Sequence, residues 1–317
     1  MRMMPAIRRV TIFGGDGFIG RYVVRRLAAQ GATVIVYGRH AHDAGFLRPM
    51  GNPGQILLAN GDVRDQHKVA GAVAGSDAVI NLVGILRQSG RQDFLGLHRD
   101  AARMIAEAAR DAGARHFVQV SAIGADPASP SLYARSRAAG ERAVLEVFPR
   151  AAILRSSIVF GIEDQFFNRF AGMAQLSPIV PLVGAKTRFQ PVYVDDVAAA
   201  IAAALDRPEA CGWIYELGGP EIFTFRELIA LLLREIGIRR WILDLPLPLA
   251  RLMALAGAIV PGVPITLDQI RMLARDNVVS LTASGLSALG VVATPLAAVL
   301  PRIAARFHPL QTPDGGR

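Results

Sequence analysis

Gly14-Gly15-Asp16-Gly17-Phe18-Ile19-Gly20 is the stretch that decides the fold. Residues 9–13 before it are apolar and β-branched and read as a buried strand. Residues 18–30 after it read as a helix, closed by Gly31 at the C′ position. Strand, Gly-x-x-Gly-x-x-Gly turn and helix in that order make a phosphate-binding turn. Gly14 allows the tight turn, Gly17 lets a pyrophosphate approach the backbone, and Gly20 lets the helix pack closely on the strand. Gly15, Asp16, Phe18 and Ile19 complete a loop that presents free N–H groups and the positive helix end to the phosphates.

The pattern repeats outward from this turn. Strands are predicted over 33–37, 55–59, 77–83, 116–121 and 151–159. Helices are predicted over 66–74 with Asp65 as N-cap, over 98–112, and over 133–147. Apolar strands alternating with helices predict an α/β fold, a Rossmann-type parallel sheet covered on both faces. Later come a strand over 190–194, a helix over 197–205 capped by Asp195 or Asp196, a strand over 213–217, and a helix over 225–236. Thr224 and Glu227 spell a capping box for that last helix. With 317 residues and about 150 per domain, two lobes are expected. They are a dinucleotide-binding domain over 1–162, to which 190–218 returns, and a smaller, interwoven substrate or partner lobe over 163–317.

Composition narrows the function classes. Hydrophobic residues make up 52% and charged residues 19%, which excludes a disordered polymer. The single Cys211 excludes an internal disulfide and a cysteine-based metal site. The six histidines, 40, 42, 67, 98, 116 and 308, show no metal-ligand spacing, so no metal is expected. The net charge of +9 comes from scattered basic residues, of which only Lys68 and Lys186 are lysine. An arginine-rich, lysine-poor chain of this kind reflects a GC-rich genome and predicts a nonspecific basic surface, with no specific nucleic-acid partner. Residues 241–265 are apolar but broken by Asp244, Arg251 and four prolines, too interrupted for a spanning helix. They read as core or as an amphipathic surface that touches a subunit or lipid. No secretory signal is read at the start, and residues 309–317 read as a frayed tail.

The end of the second strand speaks to cofactor choice. A site for NAD places a carboxylate there for the ribose 2′-hydroxyl. Here Tyr37-Gly38-Arg39-His40 offers none, and Arg39 suits a 2′-phosphate, which predicts NADP(H). After the third strand, Asp62 can accept from the adenine amino group, with Val63 beside it. After the fourth, Leu82-Val83-Gly84 lets backbone pass close to the cofactor.

Ser121 and Tyr133-Ala134-Arg135-Ser136-Arg137 carry a family likeness. The chain resembles the extended or atypical short-chain dehydrogenase/reductase family, the group of NAD-dependent epimerases and dehydratases. That resemblance implies a Tyr-x-x-x-Lys pair acting with a nearby Ser or Thr. The Tyr is the general acid/base, and the Lys lowers its pKa and binds the nicotinamide ribose. Tyr133 matches the Tyr, and it also counts among the cofactor-binding residues. Arg137 stands at the Lys position, keeps the positive charge and is a poor proton relay. The hydroxyl falls on Ser121 or, one place on, is lost to Ala122.

A narrower likeness lies in three further stretches. They are Ile153-Leu154-Arg155-Ser156-Ser157-Ile158-Val159-Phe160-Gly161, Glu163-Asp164-Gln165-Phe166-Phe167-Asn168-Arg169-Phe170, and Gln190-Pro191-Val192-Tyr193-Val194-Asp195-Asp196-Val197. They resemble the alpha-subcomplex subunit 9 group of respiratory complex I accessory subunits and its bacterial relatives. The similarity covers most of residues 8–280. It implies a tightly bound NADPH with a mainly structural role, complex I subunits as partners, and a peripheral place on the cytoplasmic side of a bacterial inner membrane, with an anionic membrane surface as a further contact. Away from a membrane the chain is expected to be cytoplasmic. The alternative is an active NADP(H)-dependent reductase or epimerase using Tyr133, in a pocket between the lobes.

Overall fold

The computed structural model describes residues 7–90, 92–257 and 266–307. In chain order the elements are β1 (Arg9–Phe13), α1 (Phe18–Ala29), β2 (Thr33–Gly38), β3 (Ile56–Asn60), α2 (Gln66–Val73), β4 (Ala78–Asn81), α3 (Ala101–Asp111), β5 (His116–Ala122), α4 (Leu132–Val147) and β6 (Ala152–Ser156). There follow β7 (Val159–Phe160), α5 (Gln165–Leu176), β8 (Ile179–Val183), β9 (Arg188–Phe189), β10 (Val192–Tyr193), α6 (Val194–Asp206) and β11 (Ile214–Leu217). The last are β12 (Phe223–Thr224), α7 (Phe225–Glu235), β13 (Trp241–Leu245), α8 (Leu247–Gly257), α9 (Leu267–Leu273) and α10 (Leu300–Ala304).

The chain divides into two units. The first runs to Ser157 and takes in Val194–Gly218 and Val279–Ala293. It holds a seven-stranded sheet in the order β11-β6-β5-β4-β1-β2-β3, every pairing parallel. This is the expected Rossmann-type sheet. Its strands are apolar because both faces are covered. Phe13, Tyr37, Val79, Phe117 and Ile153 pack with α2, α3 and α4 through Val69, Ile105 and Val144. Phe13 and Tyr37 are stacked at a tilt, centroids 5.0 Å apart. Thr11 is wholly buried between apolar neighbours, and its hydroxyl is satisfied by the Ala72 carbonyl and Ser76.

Local chemistry sets the helix ends. Gly31, at φ +89°, follows α1, and Asp65 caps α2 by accepting from the Lys68 N–H. Ser131 caps α4 through the Ala134 N–H. Such caps contribute about 1 kcal/mol each. The second unit, Ile158–Tyr193, Gly219–Val278 and the chain from Thr294, has its own core of Phe160, Phe167, Leu182, Leu228, Leu232 and Ile303. Its strands form two-stranded sheets, β10 with β7, β12 with β9 and β13 with β8. The Thr224–Glu227 capping box on α7 is present as expected.

Three elements differ from their sequence reading. The strand over 151–159 is two strands: β6 ends at Ser156, and β7 pairs with β10 in another sheet. Helix α6 begins at Val194, directly after β10, so Asp195 and Asp196 lie inside its first turn. Asp195 instead pairs with Arg25 and Arg26 of α1, at 3.1 Å each. The helix over 98–112 starts with a π-type turn, Gly96–Asp100, ahead of α3. The apolar stretch from Trp241 holds β13 and α8. Its last residues, 258–265, lie outside the described residues, as does the tail over 309–317.

Candidate nucleotide site

Because the sheet is parallel, β1 to β4 all end on one edge, and the loops that leave them meet there. Each of these loops contributes a glycine against which something packs. Gly14 turns at φ +76°, and a Cβ on it would touch Leu82, 3.5 Å away. A Cβ on Gly20 would stand 2.5 Å from the Gly14 carbonyl oxygen and Gly15. Helix α1 therefore sits on the turn at backbone distance. Gly17, exposed and extended, is the N-cap of α1 and places no side chain on the helix N–H groups. Phe18 and Ile19 are half-buried, and Phe18 meets Tyr22 edge-on. A glycine cradle with open helix N–H groups fits a pyrophosphate.

Asn81 shapes the next ledge. Buried at the end of β4, it accepts from the Val83 N–H at 3.0 Å and donates to Gln119 at 2.9 Å. The Leu82 N–H donates to the Phe13 carbonyl. Leu82-Val83-Gly84 is thus held beside the glycine turn. A Cβ on Gly84 would collide with the guanidinium of Arg137.

The β2 and β3 ends carry the charges. Arg39 is exposed, and in the orientation that satisfies both groups Gln92 turns its amide oxygen onto the Arg39 guanidinium. Asp62 is held bidentately by Arg64, at 2.9 and 2.5 Å, which lowers its carboxyl to about 2. Val63 is buried in the sheet core, so its side chain serves packing. Tyr37 lies beneath Gly61, donates to the Asp62 carbonyl, and is pushed up to about 12, chiefly by burial. Asp16 adds a feature the strand pattern does not show. Its carboxylate rests against Gly38, 2.9 Å from where a Cβ would be. The β2 end therefore has a carboxylate beside it, supplied by the glycine turn.

Tyr133 and Arg137 come together across the first two turns of α4. The Arg137 guanidinium donates to the Tyr133 hydroxyl at 3.3 Å, lies over its ring, and donates to the Val120 carbonyl. Tyr133 is buried among Phe94 and His98. Ser121 is committed elsewhere. Its buried hydroxyl donates to Glu141 at 2.5 Å, and Glu141 is gripped by Arg155 at 2.6 Å. Arg155 also faces Glu216, which accepts from the Ser280 N–H. Sequence reasoning gave Glu141 no role, quoted Arg155 only within a family likeness and weighed His98 only as a metal ligand, because no spacing marks residues that meet only across the fold. Among the described histidines, His98 and His116 are buried.

The NAD dependent epimerase/dehydratase family matches residues 10–218. The chain belongs to that family. Among curated relatives, NADH dehydrogenase [ubiquinone] 1 alpha subcomplex subunit 9, mitochondrial, of Arabidopsis thaliana is 38% identical over 285 residues, 85% of this chain and 70% of that one. The protein of the same name in Rattus norvegicus is 37% identical over 296 residues, 90% and 77% of the two chains. Among solved structures, the triphenylmethane reductase of Citrobacter sp. matches with a TM-score of 0.74 at 20% identity, covering 94% of this chain and 99% of that one. At that identity the likeness is one of fold. The family region ends at the close of β11, so it takes in every strand of the large sheet. Among the described residues, no helix is long and apolar enough to cross a membrane. Among them, too, no group of three or more His, Cys, Asp or Glu could hold a metal ion.

Proposed function

We propose that this epimerase/dehydratase-family chain is an NADP(H)-binding accessory or assembly subunit of respiratory complex I, with the nucleotide held as a structural element and little turnover. One observation carries the reading. The hydroxyl nearest in sequence to the expected catalytic position, Ser121, is bonded to buried Glu141, which half-buried Arg155 holds in an ion pair, while a guanidinium stands where a proton-relaying amine would. The names of the curated relatives support the assignment to complex I.

In this reading Gly14, Gly17 and Gly20 cradle the pyrophosphate, and the N–H groups opening α1 bind it. Arg39 takes the 2′-phosphate, and Asp62 and Val63 flank the adenine. Leu82, Val83 and Gly84 carry backbone past the nicotinamide half, and Tyr133 and Arg137 close that end. The nicotinamide, when bound, supplies hydride chemistry; the residues around it hold and orient it. The chain is peripheral, on the cytoplasmic side of a bacterial inner membrane, with complex I subunits as partners and an anionic membrane surface as a further contact. Its fold divides into a nucleotide-binding domain and an interwoven partner lobe.

The test is gentle purification from cytosol and from detergent-solubilised membranes, with release and identification of bound nucleotide. NADPH near one per chain together with complex I subunits is the expected result. A partner-free protein that exchanges nucleotide readily overturns the reading. The retained Tyr133–Arg137 pair favours a second reading, an active reductase or epimerase with Tyr133 as general acid/base. Arg137→Lys separates the two: a large gain in turnover supports the enzyme, and no change supports the structural role.

A further inference from the structure

His98 lies in the π-type turn Gly96–Asp100 and is buried. A π-type turn of this kind frequently marks a site where local backbone geometry serves function. The ring is bonded at both nitrogens. Nε2 accepts from the Ile85 N–H at 3.1 Å, so in the neutral ring the proton is on Nδ1. Nδ1 lies 2.8 Å from Ser136 Oγ. Ser136 gives its own proton to the Tyr133 carbonyl at 2.7 Å, which leaves its oxygen free to accept from Nδ1. The bonding pattern selects one tautomer at both ends.

The packing around the ring is as specific as the bonding. Phe94 stacks on the imidazole at 5.5 Å, and Tyr133 meets it edge-on. A Cβ on Gly140 would collide with the His98 carbonyl, so α4 crosses the π-type turn at backbone distance. Burial, reinforced by the nearby Arg137 charge, pushes the imidazole down to about 3, which keeps it neutral. Ile85 directly follows Gly84, and Arg137 directly follows Ser136. His98 therefore ties together the two backbone segments whose neighbours, Gly84 and the Arg137 guanidinium, pack against each other.

The sheet order places that contact on a definite side. From the glycine turn after β1, β2 and β3 lie one way, with Arg39 and Asp62, and β4 and β5 lie the other. A dinucleotide whose pyrophosphate sits on the turn and whose adenosine lies over β2 and β3 extends its other half over β4 and β5. We propose that His98 is a positioning residue for the nicotinamide half of the nucleotide: by clamping Ile85 to Ser136 it fixes the Gly84–Arg137 contact on which that half rests. This rests on the nucleotide-binding reading above.

The experiment compares two ligands on the full chain. NADPH has both halves; 2′,5′-ADP has only the adenosine half with its 2′-phosphate. Affinities are measured by calorimetry for the wild type, His98→Leu, His98→Gln and Ser136→Ala, together with hydrogen exchange of the Ile85 amide without ligand. His98→Leu leaves the Ile85 N–H without its acceptor. It should weaken NADPH about tenfold or more and 2′,5′-ADP less than about twofold, and speed Ile85 exchange. His98→Gln, whose amide oxygen can reach the Nε2 position, should recover most of the NADPH affinity. Ser136→Ala, a milder change, keeps the test open if His98→Leu fails to fold, and it should also weaken NADPH selectively. Equal weakening of both ligands, or no change in either, overturns the inference and leaves nucleotide binding intact. A wild-type chain that binds neither ligand, with Ile85 protected, instead overturns the nucleotide reading and this inference with it.

Discussion

Gly84 and the Arg137 guanidinium occupy space that no side chain at position 84 could share. The arginine four residues after Tyr133 thus reaches across to the end of β4. Gly84→Ala must displace the guanidinium, which is the far end of a flexible chain, so the fold should tolerate it. The expected outcome is a midpoint of thermal unfolding within a few degrees of wild type and markedly weaker NADPH retention. Gly20→Ala is the contrast. There the added carbon meets backbone 2.5 Å away, which cannot swing aside. It should cost about 1–3 kcal/mol by urea unfolding as well as nucleotide binding.

Buried Glu141 and half-buried Arg155 form an ion pair, and Glu141 also accepts a hydrogen bond from the Ser121 hydroxyl. Glu141→Ala leaves the guanidinium without its main acceptor. Loss of one partner of such a pair costs about 3–5 kcal/mol, which chemical denaturation would register. The double variant Glu141→Leu with Arg155→Met should lose less than the single one, because no guanidinium is left without its main acceptor; Glu216 gives up Arg155 but keeps the Ser280 N–H. A double loss equal to the sum of the single losses would show that the two residues are uncoupled.

Asp164 caps α5 from a buried position, accepting from the Gly161 and Phe167 N–H groups. Burial outweighs those bonds and raises its carboxyl from 3.8 to about 6. The folded chain therefore holds this proton more tightly than the unfolded chain does. Stability from this group falls as pH rises from about 4 to 6, and the loss persists above, amounting to about 1–3 kcal/mol. Asp164→Asn keeps the cap and removes the titration. Urea midpoints measured from pH 4 to 7.5 should fall for the wild type relative to the variant.

Arg39 and Asp16 flank the β2 end with opposite charges. Arg39→Ala should weaken NADPH by about 10- to 100-fold, the value of a charge-assisted bond to phosphate, and leave NADH nearly unchanged. Asp16→Asn should shift the preference further toward NADPH, because it removes a negative charge near the 2′-position. Competitive titration of the two nucleotides measures both shifts. An Arg39→Ala variant that loses NADPH and NADH equally would assign the guanidinium to folding.

The glycine turn, the strand before it, the helix after it and the helix caps at Asp65 and Thr224 were legible in the sequence, because each depends on neighbours within a few residues. The pairing of Tyr133 with Arg137 was legible for the same reason: four residues along a helix is one turn. Ser121 was legible as a residue but not as a bond. Its acceptor, Glu141, lies on the next helix, and the register of that helix on the sheet decides whether the hydroxyl meets a ligand or an ion pair. Asp196 shows a similar limit, since a capping residue and a first-turn residue have the same composition.

By itself the sequence determined the parallel sheet, the glycine turn between β1 and α1 and the absence of a lysine four residues after Tyr133, all matters of local propensity, period and residue identity. Only the tertiary structure decided that β11 extends the sheet beside β6, that β7 leaves it to pair with β10, and that Val279–Ala293 joins the first unit. It alone set Asp16 against Gly38, Arg137 against Gly84, and His98 between Ile85 and Ser136. The physical reason is that hydrogen bonds and close packing act over a few ångströms of space, whatever the separation along the chain.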